Sequence, residues 1–227
     1  MFKLKHDIQI NLKNEKEVFR LIRLLAFTFI LSAALLGISD YIWNMTLYKI
    51  ARMVVPWIIA IPAIINCVER KKTLKDVLGK KIITKILLGF LLGFVFALIM
   101  KAGMFLFRSD EYMLVPYECK TLIYNFFYYY FVVAMTEELI YRVAILESLE
   151  AVIPNKWVAY VIADLLFAGS HLFQASLFTA AFNVVAGAIY IALYKWKKGG
   201  YVFTTVMHGT YDFIYIYLAV ILHLIQK

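Results

Sequence analysis

The stretch FFYYYFVVAMTEELIYRVAI, residues 126–145, decides how this chain is read. It is long enough to cross a hydrocarbon core about 30 Å thick, which takes about 20 helical residues. Yet it holds Glu137, Glu138 and Arg142, and a charge at membrane depth is costly enough to need a reason. In an α-helix Glu138 and Arg142, four apart, share one face, whereas Glu137 and Arg142, five apart, lie about 140° round from each other. An ion pair would account for Glu138 and Arg142. It leaves Glu137 unpaired, and an unpaired intramembrane carboxylate points to a functional site.

Outward from this stretch, the rest of the chain calls for the same solvent. Of 227 residues, 63% are hydrophobic and 17% charged, against roughly 45–50% apolar in soluble domains. That leaves too little polar surface to cover a soluble globule. Seven apolar runs lie near 21–39, 50–68, 84–106, 121–146, 157–173, 177–195 and 201–225. In lipid their backbone groups can be satisfied only within helices. The expected fold is therefore all-α, a polytopic membrane helical bundle of seven to eight transmembrane helices, the eighth requiring a re-entrant pair. No repeat or linker divides it, so 1–227 reads as a single integral membrane domain. The first apolar run, about 24–39, follows a basic segment and lacks a small-residue cleavage site, so an uncleaved first span is expected. Residues 1–20 suggest an amphipathic surface helix. Cys67 and Cys119 have no metal-type spacing and read as inert thiols.

The net charge of +9 would suit nucleic acid if the cations formed one stripe. Instead they cluster between apolar runs, as in ERKKTLKDVLGKK at 69–81, which orients membrane spans and argues against a nucleic-acid partner. Segments 1–23, 69–85, 147–156 and 195–200 hold 17 Lys and Arg; the alternate segments hold 6, and Arg142 completes the 24. This bias predicts a multi-pass protein of the cell membrane with a cytoplasmic N-terminus, and a polar cavity opening toward that basic side.

Two further polar points lie in later spans. LLFAGSHLF at 165–173 sets Phe167 and His171 one turn apart, and TVMHGTYDFIY at 205–215 does the same for His208 and Asp212. Taken singly, an apolar-helix histidine is a packing residue and a His–Asp turn is a polar staple. Of four histidines, however, His6 and His223 lie near the chain ends and the other two lie within spans. Three polar points on three apolar helices are best explained by one shared cavity. There a carboxylate beside an imidazole could activate water against a carbonyl, a second imidazole could stabilise the oxyanion, and a carboxylate would fix its tautomer. Ser170 adjoins His171 but faces about 100° away. The chemistry indicated is peptide-bond hydrolysis by general base catalysis.

The order of EExxxR at 137–142, FxxxH at 167–171 and HxxxD at 208–212 resembles the signatures of the CAAX protease and bacteriocin-processing family, also called Abi. This family of intramembrane glutamate proteases includes the type II prenyl endopeptidases. The resemblance covers about residues 121–217, and FNVVAGAIYIALY at 182–194, with Gly187, shares in it. It implies that Glu137 and His171 hold and activate the water, that His208 with Asp212 stabilises the oxyanion, and that Glu138 and Arg142 are a supporting pair. Asp212 stands where the prenyl endopeptidases carry Asn, which bears on prenyl-CAAX substrates more than on proteolysis. Peptide or membrane-protein substrates are implied, and bacterial members point to bacteriocin maturation or self-immunity.

Two alternatives accompany this reading. One places a divalent metal such as zinc on Glu137, His171 and His208, although no HExxH pair is present, so the leading expectation is an enzyme without a cofactor. The other is a non-proteolytic membrane immunity protein or a regulator of a membrane sensor kinase. One geometric tension remains. The span edges above put Glu137 about 13 Å, His208 about 10 Å and His171 about 22 Å from the inner face. Convergence requires the fifth helix to start outside the membrane or the edges to shift.

Overall fold

Each apolar run becomes a helix, and the polar residues between runs supply the stops. The computed structural model describes residues 15–39, 44–106, 119–171 and 177–225. Its helices are α1 (Glu15–Ser39), α2 (Met45–Glu69), α3 (Leu74–Leu78), α4 (Ile82–Leu106), α5 (119–152), α6 (Lys156–Ser170), α7 (Leu177–Lys195) and α8 (Tyr201–Ile225). No strand occurs among the described residues. The protein is an all-α membrane bundle, and the seven long helices among the described residues coincide with the seven apolar runs. By length and apolarity 15–35, 45–69 and 82–103 are sufficient to cross a bilayer. Of the expected surface helix at 1–20, residues 15–20 are the first turns of α1, and the remainder lies outside the described residues.

Local chemistry sets the helix starts. Asn44 accepts from the amides of Thr46 and Leu47 (2.9 and 3.1 Å), and Asn155 accepts from those of Trp157 and Val158 (3.0 and 3.4 Å). Both satisfy donors that a helix N-terminus leaves open. In the basic loop, Thr73 and Asp76 form a capping box that nucleates α3. The Thr73 hydroxyl bonded to Asp76 holds that carboxyl below its ordinary range.

The fourth span departs from expectation in length and in winding. Its edge near 146 is too short, because Glu147–Val152 continues the helix and buries Ser148, Leu149 and Val152. Extended Ile153 then ends it, as suits a residue before Pro154. The winding also widens to i→i+5 bonding at Tyr128–Ala134 and again at Leu139–Leu146, with one α-helical turn, Met135–Glu138, between them. Such insertions occur frequently at functional sites. From Ile140 to Leu146 every residue is buried, so α5 is enclosed by protein here rather than by lipid.

The core forms around α5. Leu24, Ala60, Ala63, Ile145, Ala159 and Phe167 join α1, α2, α5 and α6 in one cluster. Phe96, Met100, Ala186, Tyr190 and Met207 join α4, α7 and α8 in another. Close approach of α4 and α8 depends on Gly89 and Gly93, a small-xxx-small pair. A Cβ at Gly93 would lie 2.6 Å from Thr210 Cβ.

Ion pairs gather the four basic segments at one end. Arg70 bonds Glu17 at 2.8 Å, while Arg23 pairs with Glu69, Lys72 with Glu147, and Lys195 with Glu150. Arg52 at the opposite end sits 4.3 Å over the Tyr128 ring. The alternation read from charge clustering is thus the alternation of the bundle.

Candidate active site

The longer fourth helix removes the depth mismatch. Glu137 lies 15 residues before Val152, and His171 lies 15 residues after Lys156. In an antiparallel hairpin both therefore sit about 20 Å from the turn. His171 ends α6, and its Nδ1 bonds the Phe167 carbonyl at 2.9 Å. A carbonyl only accepts, so Nδ1 carries the proton and the other ring nitrogen, Nε2, faces the site. That Nε2 lies 4.0 Å from Glu137 Oε2.

His208 approaches the same carboxylate from α8, with Nε2 3.9 Å from Glu137 Oε2. Asp212, one turn on, has Oδ2 3.5 Å from this nitrogen. The other face of the ring is committed, since Nδ1 donates to Glu138 Oε1 at 3.1 Å. Tyr190 of α7 stacks on the imidazole at 4.7 Å between centroids. His208 is thereby held by a carboxylate on each side and an aromatic face.

Behind this layer Glu138 and Arg142 are fully buried. Arg142 Nε is 3.5 Å from Glu138 Oε2, and its guanidinium lies 4.5 Å from the Phe167 ring and 5.6 Å from that of Tyr190. A planar cation between two aromatic faces is well placed for cation–π attraction. Phe167 is therefore a hub: its ring packs on Arg142 and edges His171 at 4.9 Å, and its carbonyl accepts the hydrogen bond of the His171 Nδ1–H. All seven residues singled out in the sequence converge.

Two features escaped sequence reading. Beyond its expected pairing with Arg142, Glu138 also holds His208, a contact 70 positions apart that no helical period reveals. Asp164 is a buried intramembrane carboxylate on α6, one turn before Phe167, with Oδ1 lacking a hydrogen-bond partner. Its isolation in the apolar stretch KWVAYVIADLLFAGS was the available signal. Gly187 admits it: a Cβ there would collide with Asp164 Oδ1 and lie 2.9 Å from Phe167 Cδ1. Ser170 donates a hydrogen bond from its hydroxyl to the Phe167 carbonyl at 2.7 Å.

Glu137, His171 and Asp212 keep 26%, 29% and 18% side-chain exposure, whereas Arg142, Phe167 and Thr204 are buried. Toward the basic end Ile140 to Leu146 are all buried, as are Tyr201, Phe203, Thr204 and Thr205. Among the described residues no group of three His, Cys, Asp or Glu is arranged to hold a metal ion. His6 lies outside the described residues, and His223 lies in the final turns of α8. Cys67 is buried and Cys119 exposed, both as free thiols.

Residues 120–214 match the family model described as type II CAAX prenyl endopeptidase Rce1-like. All three motifs fall inside the match, which bears out the family resemblance they carried and supports a CAAX-type endopeptidase. No curated protein and no solved structure matches the chain.

Proposed function

From this likeness to the Rce1-like CAAX prenyl endopeptidases, we propose that the protein is an intramembrane endopeptidase of the glutamate type. The observation that carries the reading is Glu137 Oε2 facing two imidazole nitrogens at 4.0 and 3.9 Å. Both gaps are too long for a direct hydrogen bond, and both suit a bridging water. A water between Glu137 and His171 would donate to His171 Nε2 and to the carboxylate. As its oxygen attacks the substrate carbonyl, the proton passes to Glu137. His208 donates through Nδ1 to Glu138 and, with Nε2 also protonated in this proposal, would offer that second N–H to the oxyanion. Asp212 orients that donor. On collapse the C–N bond breaks and Glu137 returns its proton to the leaving amine. No metal takes part in these steps.

The substrate in this reading is a peptide or a membrane protein. The setting is the plasma membrane with the N-terminus cytoplasmic, in accord with the clustered cations, and bacteriocin maturation or self-immunity is the process proposed. The test compares peptide maturation or immunity in cells carrying wild type or Glu137→Ala at matched membrane abundance. Loss in the variant supports water activation. Full function in Glu137→Ala overturns the enzymatic reading in favour of an immunity or regulatory partner.

A further inference from the structure

A recess lies at the basic end, outside the catalytic constellation. α1 and α2 enclose a groove of about 320 Å³ walled by Leu24, Phe27, Leu31, Ile61 and Ile65 and closed at one end by Arg20 and Arg23. Phe27, Ile61 and Ile65 are about half exposed, at 53%, 45% and 47%. At its edge stands Asn66, 3% exposed, with Nδ2 lacking a hydrogen-bond partner. An amide donor buried without a partner is costly and calls for an acceptor.

Arg20 also borders an adjoining hollow of about 430 Å³ lined by Lys16, Arg70, Lys71 and Lys72 with Glu17 and Glu69. The apolar groove therefore runs into a polar cup. Together they hold six cations, counting Arg23. Glu17 and Glu69 bind Arg20, Arg23 and Arg70, and Glu147 takes Lys72. Six cations against three carboxylates leave a surplus of three. From Arg20 to Leu31 the groove follows eleven residues of α1, about 16 Å, the length of a large part of one acyl chain.

We propose that this recess binds one anionic phospholipid, its phosphate in the cup and one acyl chain along the groove. The cup alone would suit any phosphate. The contiguous apolar channel, at the end where clustered cations meet headgroups, selects a lipid. The Asn66 amide donates to an oxygen of the headgroup or ester region. This site is independent of peptide hydrolysis, and its test reads lipid binding rather than cleavage.

The full chain, purified and delipidated, is titrated with phosphatidylglycerol or phosphatidylcholine while the melting temperature and bound lipid by native mass spectrometry are followed. Saturable binding of one phosphatidylglycerol per chain with a rise in melting temperature is expected, and none with phosphatidylcholine. Lys16→Gln/Lys71→Gln should weaken phosphatidylglycerol roughly tenfold, given the attraction of each cation near an anionic headgroup. Ile65→Trp, which fills the groove, should remove the response while leaving the melting temperature in phosphatidylcholine unchanged. Where the tryptophan variant does not fold, the double lysine variant decides. Equal response to both lipids overturns the proposal. So does a full shift from glycerol phosphate alone, which would identify a site for a soluble anion.

Discussion

Gly187→Ala tests how α7 clamps α6 behind the active site. The added Cβ would collide with Asp164 Oδ1 and sit 2.9 Å from Phe167 Cδ1. The Asp164 carboxyl is buried beside the core and cannot swing freely into solvent, so α6 must shift or Asp164 must change rotamer. Overpacking of this kind costs typically about 1–3 kcal/mol. Phe167 ties the same strain to chemistry, because its carbonyl holds His171 Nδ1 at 2.9 Å and its ring lies 4.5 Å from the Arg142 guanidinium. A misplacement approaching 1 Å at a catalytic group can cost on the order of 10²-fold in rate, so activity should fall more steeply than stability. The assay is a double-mutant cycle in detergent with Gly187→Ala, Asp164→Ala and both together, following unfolding and peptide cleavage. Because the collision is with the oxygen that Asp164→Ala removes, the double variant should be more stable than the sum of the single losses by about 1 kcal/mol or more. Additive losses would refute the packing argument. An unchanged melting temperature and rate in Gly187→Ala would refute the clamp itself.

Further expectations follow from the same geometry. His171→Ala should reduce cleavage by about 10²–10⁴-fold without lowering membrane abundance, as for loss of an acid–base group; replacing His6 or His223 should do little. Asp212→Asn keeps an acceptor toward His208 and should retain measurable activity, whereas Asp212→Ala should lose on the order of 10²–10³ through the oxyanion donor it orients. Both variants and wild type are assayed with and without a strong chelator. Wild type that is inactivated by chelator and rescued by zinc would replace the metal-free mechanism. Reporters fused after Lys75 and Lys198 should read cytoplasmic and one near Glu111 external; an external signal at Lys75 would reverse the proposed orientation.

Local features of the sequence determined much of this protein. Hydrophobicity and length are properties of continuous runs, so the membrane class and the seven long helices were legible at once. Intramembrane charge is equally local, and it exposed Glu137, Glu138, Arg142, His171, His208 and Asp212 as residues needing partners. The alternation of cations likewise anticipated which segments meet at one end, because unpaired charge cannot be left among lipid tails. Asp164 belonged to the same kind of signal and was passed over.

The rest depended on distances between helices, which no period encodes. An α-helical wheel assumes one winding, and the widened turns flanking Met135–Glu138 break that assumption where it matters. The depth of His171 hinged on six residues, Glu147–Val152, whose polar composition reads as a loop but which continue a helix by burying Ser148, Leu149 and Val152. That Glu138 serves both Arg142 and His208, that Glu137 lies between two ring nitrogens, and that Gly187 makes room for Asp164 are decided by how closely backbones approach. Close packing sets that approach through side chains on different helices at once, so it exists only in the folded molecule.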